Sequence, residues 1–441
     1  MNVTATLCRL EQERAAGLES LRQCAQVNGA IVEQFEDRSD SDSPVYDEYF
    51  QSGGSDAIAS LTNFSDDEFH VLWSTIEDVI VLAWTTGRDQ KCKVMPKDAY
   101  MMTLCVLKHY GTWDTHALDF IIAASTFQKM IMRVISLIEQ PLYQIFIKCV
   151  KMVDQRAKTQ LFTNYRYALY ASDVKFQPSN RPSGRFDETK QYFSNKHKMY
   201  GLKLEASVSY PGICVGLSRC YPGSISDLTI FVQREDFHLQ MLQKSNEELL
   251  EEDNGEGWEN YSHMWAVLVD KGYQGSQSFI RAIHPKKKPI RGNLTVEDTQ
   301  RNIRVSSDRV LVENYFGRVT ALWKISRSTY KWSEASYDSI SRLTFALTNF
   351  NVSLMSLRAS DGEFYKSALA KYYSQGEYSV NIRATTQANY RKRRAARLRT
   401  ERLVQASTGQ RRIQYYNIRD SMLSSSFGHN SQYSQQSNAD V

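Results

Sequence analysis

The sequence predicts an α/β fold: a mixed sheet with flanking helices, preceded by a helical domain and followed by a disordered tail. Three observations carry that reading. Short β-branched and aromatic runs alternate with amphipathic ones across 165–330. Residues 64–150 repeat apolar side chains at helical spacing. From 391 the chain turns basic, and over 419–441 it becomes rich in Ser, Gln and Asn with little apolar content.

A length of 441 residues exceeds one ordinary domain and suits a large core with accessory segments. The apolar fraction of 42% and charged fraction of 23% are those of a soluble globular chain. A net charge of +5 neither demands nor excludes nucleic acid, so the placement of charge matters more. The cysteines are Cys8, Cys24, Cys92, Cys105, Cys149, Cys214 and Cys220, with no CxxC pair. An odd, scattered set predicts free thiols in a reducing compartment. Met1–Leu10 shows no basic stretch followed by an apolar run, so no secretory signal is expected. The apolar runs near Val79–Trp84 and Phe120–Ala124 are too short to span a bilayer. An intracellular protein without membrane contact is the expectation.

Residues 1–63 read as a helical, then acidic and disordered, N-terminal region. Leu18, Leu21, Ala25 and Val32 fall near heptad spacing, and 37–60 are rich in Asp, Ser and Gly. Residues 64–150 read as a helical domain whose informative unit is 96–138. A helix starts after Pro96, with Tyr100, Leu104 and Leu107 on one face. A second spans about Asp114–Ala124. Ser125 then opens a third, with Gln128 placed for a capping box. There Phe127, Met130, Ile131, Val134, Ile135 and Ile138 form a stripe, and Lys129 and Arg133 face away from it. A helix-turn-helix fits this pattern, and so does a small bundle with no DNA role.

Residues 165–358 read as an α/β domain of alternating strands and helices. Strands are expected over Tyr167–Phe176, Met199–Ser209 and Gly212–Cys220, the last two joined at Tyr210-Pro211-Gly212. A helix from Ser224-Ile225-Ser226 to about Leu242 follows, then an acidic loop, Glu247–Glu259. Trp265–Val269 is a short buried strand ending at Asp270. A helix near Ser276–Ile283 and a basic segment around Lys286–Lys288 come next. Ser307 or Asp308 then caps a long helix to about Leu322. This is the element order of the ribonuclease H-like fold. Ile340, Leu343, Leu347, Phe350, Leu354 and Leu357 form a heptad stripe that either closes over the sheet or makes a dimer seam. Residues 359–441 read as a basic, then Ser/Gln-rich, mostly disordered tail. Within it, Arg391-Lys392-Arg393-Arg394 head a segment with seven basic residues and one acidic residue, a nuclear-localisation or nucleic-acid patch by composition.

Three acids stand out, with different strength. Asp173 interrupts a strand-like run, where a charge is costly without a partner or metal. Asp270 ends the apolar run Ala266–Val269, well placed at the carboxyl end of a strand; a turn or capping aspartate fits the same position. Glu313 lies in a long helix, and spacing alone does not select it. Carboxylates meeting at one edge of a rigid sheet suit Mg²⁺, which takes oxygen ligands, and a metal pair about 3.5–4 Å apart serves in-line phosphodiester chemistry.

The segments Tyr192–Lys203, Pro222–Asp227, Val269-Asp270-Lys271-Gly272-Tyr273 and Val312-Glu313-Asn314-Tyr315-Phe316-Gly317-Arg318 occur in the order of the signatures of PIF/Harbinger transposases, and over roughly 165–350 the chain resembles that family. The resemblance implies a DDE nuclease that cuts and transfers DNA strands. Its catalytic and metal-binding triad would be Asp173, Asp270 and Glu313, with two Mg²⁺ (or Mn²⁺) as cofactors. It implies a nuclear enzyme acting on transposon ends and target DNA, assembled as a homo-oligomer on DNA, with a Myb-like accessory DNA-binding protein as a partner. The chain departs from the family at Asp173-Val174-Lys175-Phe176, where members often carry Asp-Gly-Thr-His. Lys129, Arg133, Lys196, His197, Lys198 and Arg318 are the expected DNA contacts. Asp227 either caps a helix or adds a fourth acid. Two rivals stand beside this reading: a catalytically silent binding derivative, and a ribonuclease H-like nuclease acting on RNA or repair intermediates.

Overall fold

The computed structural model describes residues 41–86, 93–183, 185–289 and 291–426. The heptad-spaced 1–36 segment lies outside them, as do Cys8, Cys24, Cys92 and the end of the tail. The chain divides into two compact units after Tyr372.

The first unit opens with helices α1 (Pro44–Thr62), α2 (Asp66–Ser74) and α3 (Glu77–Thr85). The acidic stretch expected to be disordered is therefore largely α1. Pro44 sits in its first turn, Ile58 is fully buried, and Asp98 accepts the Val45 and Tyr46 backbone amides. Burial of a few side chains outweighs a poor local sequence, the glycine kink at Gly54 included. Next come α4 (Pro96–His109), α5 (Trp113–Asp119) and α6 (Ala124–Phe146). The predicted stripe of α6 is buried from Phe127 to Ile138. The Ser125 capping box does not form, because the helix begins one residue earlier behind Ala123 and makes no side-chain cap. No single helix among the described residues is long and apolar enough to cross a membrane, although the bent pair α5–α6 passes by length and composition.

After α7 (Met152–Ala157), the sheet begins. Its strands are β1 (Ala168–Pro178), β2 (Phe193–Ser194), β3 (Met199–Ser209), β4 (Ile213–Leu217), β5 (Tyr221–Pro222), β6 (Ala266–Val269) and β7 (Ala282–Ile283). Helices interleave as α8 (Phe186–Lys190), α9 (Asp227–Val232) and α10 (Glu235–Leu242); then follow α11 (Val296–Leu322) and α12 (Tyr337–Leu354). The strand order is β2-β3-β1-β6-β7, with β4 and β5 also pairing β3. β1 runs antiparallel to β3 and parallel to β6, and β6 parallel to β7. The sheet is mixed, as expected.

Alternation along β6 sends side chains into two cores, and β1 contributes to both. Ala171, with Leu204, Ala206 and Leu268, packs against Val312 and Phe316 of α11 and, through them, the N-terminal helices. Leu169, Tyr170, Val267 and Val269 pack against Phe231 and Leu242 of α9 and α10. Each fully buried Leu, Ile or Phe contributes about 1.5–3 kcal/mol. The regions 64–150 and 165–358 thus share one apolar core rather than two. The α12 stripe closes inward over its first four positions: Ile340, Leu343, Leu347 and Phe350 are buried, whereas Leu354 is exposed and Leu357 lies beyond the helix; Asn349 bonds both the amide and the carbonyl of Cys214 in β4.

Four further expectations fail. The helix from Ser226 breaks at Gln233–Arg234 into α9 and α10. Ser276–Ile283 is a single 3-10 turn, Ser276–Ser278, followed by β7, because Ala282 and Ile283 extend the parallel ladder beside β6. α11 starts at a Thr295 cap, not at Ser307 or Asp308; Asp308 instead accepts the amides of Asn164 and Tyr165. The tail from 359 is not disordered through most of its described length: α13 spans Ala359–Ser426, a segment rich in Arg and Ala, both strong helix formers.

Candidate active site

Asp173 lies inside β1, and Asp270 directly follows β6. The parallel register pairs Ser172 with Val269, which sets the two aspartates at adjacent positions of neighbouring strands. α11 crosses the same face of the sheet and brings Glu313 to them. All three carboxylates meet one cation. Arg309 Nη1 donates to Asp173 Oδ2 at 3.1 Å, and Nη2 donates to Glu313 Oε1 at 2.9 Å. Asp270 Oδ1 lies 3.6 Å from the same Nη2. The arginine side chain is 12% exposed and those of Asp173, Glu313 and Asp270 are 21%, 21% and 33% exposed, so the cluster is half-buried and open on one side.

The electrostatics follow from crowding. Burial raises the Asp173 carboxyl to about 7; Arg309 and the Val174 amide oppose this, while Asp270 and Asp227 add to it. Burial works against the Arg309 charge, but three carboxylates outweigh it and hold the guanidinium above its ordinary value.

A fourth acid stands beside the triad. Ser226, not Asp227, caps α9 by accepting the Thr229 amide. Asp227 Oδ1 instead pairs with Lys203 Nζ at 2.9 Å, and that ammonium also donates to the Ile225 carbonyl. Asp227 Oδ2 reaches toward Asp270: a Cβ added to Gly272 would lie 3.8 Å from it and 3.9 Å from Asp270 Oδ2.

The remaining expected contacts divide. Lys129, Arg133, Lys196 and Lys198 are exposed or half-buried at the surface. Arg133 also donates to the Ala83 carbonyl and lies over the Trp84 ring. His197 is buried and stacked on Phe176, with ring centroids 4.1 Å apart. Burial and then Lys196 and Lys203 push its imidazole down to about 4, so it is neutral at neutral pH and supplies no phosphate-binding charge. Arg318 is buried too. It donates to Asp361, to Asn351 Oδ1 and to the Met355 and Ser356 carbonyls, which leaves nothing for DNA. Its expected phosphate contact is therefore replaced by a structural clamp. Arg391–Arg394 lie exposed on α13 in the second unit.

Sequence reasoning selected the acids and missed the cation that joins them. The signal existed: Arg309 and Glu313 are four apart on one helix, the spacing of a facing ion pair.

Carboxylate oxygens are the hard ligands that Mg²⁺ and Mn²⁺ take, and the guanidinium is a cation standing among them, so the donor set fits such an ion. Among the described residues no three His, Cys, Asp or Glu side chains already form a metal-holding group; the space between the acids belongs to Arg309.

Comparison with curated proteins finds no match, and comparison with solved structures finds none. Residues 173–349 match a family model described as DDE superfamily endonuclease, a span that begins at Asp173 and contains Asp270 and Glu313; the chain carries a DDE transposase-like, nuclease-type domain.

Proposed function

We propose that this is a nuclear, transposon-derived DDE endonuclease of the PIF/Harbinger type, which cuts DNA strands and joins the freed 3′ ends to target DNA. The convergence of Asp173, Asp270 and Glu313 from two strand positions and one helix carries the reading. These three would hold two Mg²⁺ (or Mn²⁺), which supply charge stabilisation at the attacking and leaving oxygens of a phosphodiester. The chain's own part is positional. The sheet fixes the two aspartates, α11 fixes the glutamate, and the open side of the cluster admits the DNA backbone. Lys196 and Lys198 on the β2–β3 hairpin, and Lys129 and Arg133 on α6, are surface cations suited to phosphate contact. Arg391–Arg394 suit nuclear entry. Assembly as a homo-oligomer on DNA, with a Myb-like protein assisting recognition, belongs to the same proposal.

Purified protein with Mg²⁺ and terminal-repeat DNA tests it. Wild type is expected to nick the duplex, and Asp270→Asn to lose about 100-fold or more of that rate, since even residues behind a metal ligand cost 10–100-fold. Equal rates in the two proteins remove the assignment. The second reading, a silent DNA- or protein-binding derivative, is favoured by the contact of all three acids with Arg309; it predicts duplex binding without any nicking.

A further inference from the structure

The cation site of the proposed nuclease is already in contact with a cation that belongs to the chain. One guanidinium reaches Asp173 of β1, Asp270 after β6 and Glu313 of α11. Among the described residues no other cation pairs with these acids: Lys203 is held by Asp227, and Lys175 donates to the Ser326 carbonyl and to Gln177. The pose is costly to the arginine. Its Nε is buried with no hydrogen-bond partner, although the Nη atoms are engaged with the acids.

We propose that Arg309 is a built-in counter-ion that occupies the metal position in the metal-free protein and must leave it before a divalent ion binds. This rests on the metal-site reading above. Without a cation, three acids brought together by the fold repel one another, and the guanidinium relieves that repulsion. Arg309 stands one helical turn before Glu313, so it competes as a tethered ligand whose local concentration does not fall on dilution. A metal must displace it from all three carboxylates, and the measured metal affinity is lowered by that competition. Once displaced, the guanidinium stays on α11 at the rim of the site, free to meet an incoming phosphate bidentately.

The test is a calorimetric titration of the full chain with Mn²⁺, together with thermal melts with and without Mn²⁺. Wild type, Arg309→Gln, Arg309→Lys and Asp270→Asn are compared. Arg309→Gln is expected to bind Mn²⁺ about tenfold or more tightly than wild type. It should also melt lower without metal and gain more from Mn²⁺. Arg309→Lys keeps the charge but not the planar fork that bridges three acids, so it should fall between the two. It carries the test if Arg309→Gln does not fold. Asp270→Asn should abolish binding. If Asp270→Asn abolishes binding while both Arg309 variants match or fall below wild type, the counter-ion proposal is overturned and the metal site stands. If neither wild type nor either Arg309 variant takes up Mn²⁺, both readings fall.

Discussion

At the scale of single residues, buried acids are answered either by backbone amides, as at Asp98 and Asp308, or by opposite charge. Asp253 is the clearest case of the latter outside the Asp173–Asp270–Glu313 cluster. It lies in the acidic loop after α10, yet its side chain is fully buried between Lys244 Nζ at 2.7 Å and Arg281 Nη1 at 2.6 Å. Burial alone would raise its carboxyl; the Arg281 and Lys244 bonds outweigh that and hold it at about 2. The folded-state value is below the unfolded one, so the stability it contributes is fully present above about pH 4 and is lost as pH falls toward 2. Asp253→Asn leaves two cations buried without their partner and is expected to cost about 3–5 kcal/mol at neutral pH. Urea unfolding at pH 7 and pH 3 checks both points: the gap between variant and wild type should narrow at the lower pH. The loop reads in sequence as a solvated acidic run, because nothing local marks which of its acids will be buried.

At the scale of elements, the segment Val312–Arg318 builds architecture more than chemistry. Within Val312–Arg318 it is Glu313 that faces the carboxylate cluster, through Arg309. Tyr315 donates to Asn349 Oδ1 at 2.7 Å and to the Phe345 carbonyl, tying α11 to α12. A Cβ on Gly317 would fall inside the Asp361 carbonyl, so the glycine lets the start of α13 lie directly against α11. Arg318 completes the clamp with a bidentate pair to Asp361, its Nη2 at 2.9 Å. Arg318→Lys keeps the charge and loses the fork; it is expected to cost about 1.5–3 kcal/mol of stability while leaving the salt dependence of DNA binding unchanged. Equilibrium denaturation and a binding isotherm at several salt concentrations separate the two effects. A change in salt slope would return Arg318 to the DNA interface. The helix ends were less legible than the helix cores. Asp308 has the composition of an N-cap, but its carboxylate is used by the chain before β1, which no local pattern announces.

At the scale of the whole molecule, the sheet is covered on both faces, and the carboxylate cluster opens at the edge of the face that α11 crosses. Surface cations lie on separate elements: Lys129 and Arg133 on α6, Lys196 and Lys198 on the β2–β3 hairpin. If the hairpin lysines meet phosphates, the Lys196→Ala/Lys198→Ala double variant should flatten the plot of log affinity against log salt by about 0.9 for each lysine–phosphate pair removed. It should weaken binding evenly across sequences, because phosphate contacts carry no base information. An unchanged slope places the DNA path elsewhere. The second unit is the larger part of α13, a basic helix whose described side chains are mostly exposed.

Periodicity alone determined the mixed sheet, the buried stripe of α6 and the inward face of α12, because apolar side chains at strand or helix spacing have one way to leave water. Position in or at the end of an apolar run also drew attention to Asp173 and Asp270, without deciding between a site acid and a turn or capping aspartate. Only the tertiary structure decided what partner they meet. The parallel register of β1 and β6 and the crossing of α11 bring residues remote in sequence to one guanidinium, and no local signal encodes a distance between strands. The same physics explains the segments whose form differs from expectation: α1 and β7 are held by neighbours remote in sequence, whose packing outweighs what their own residues prefer.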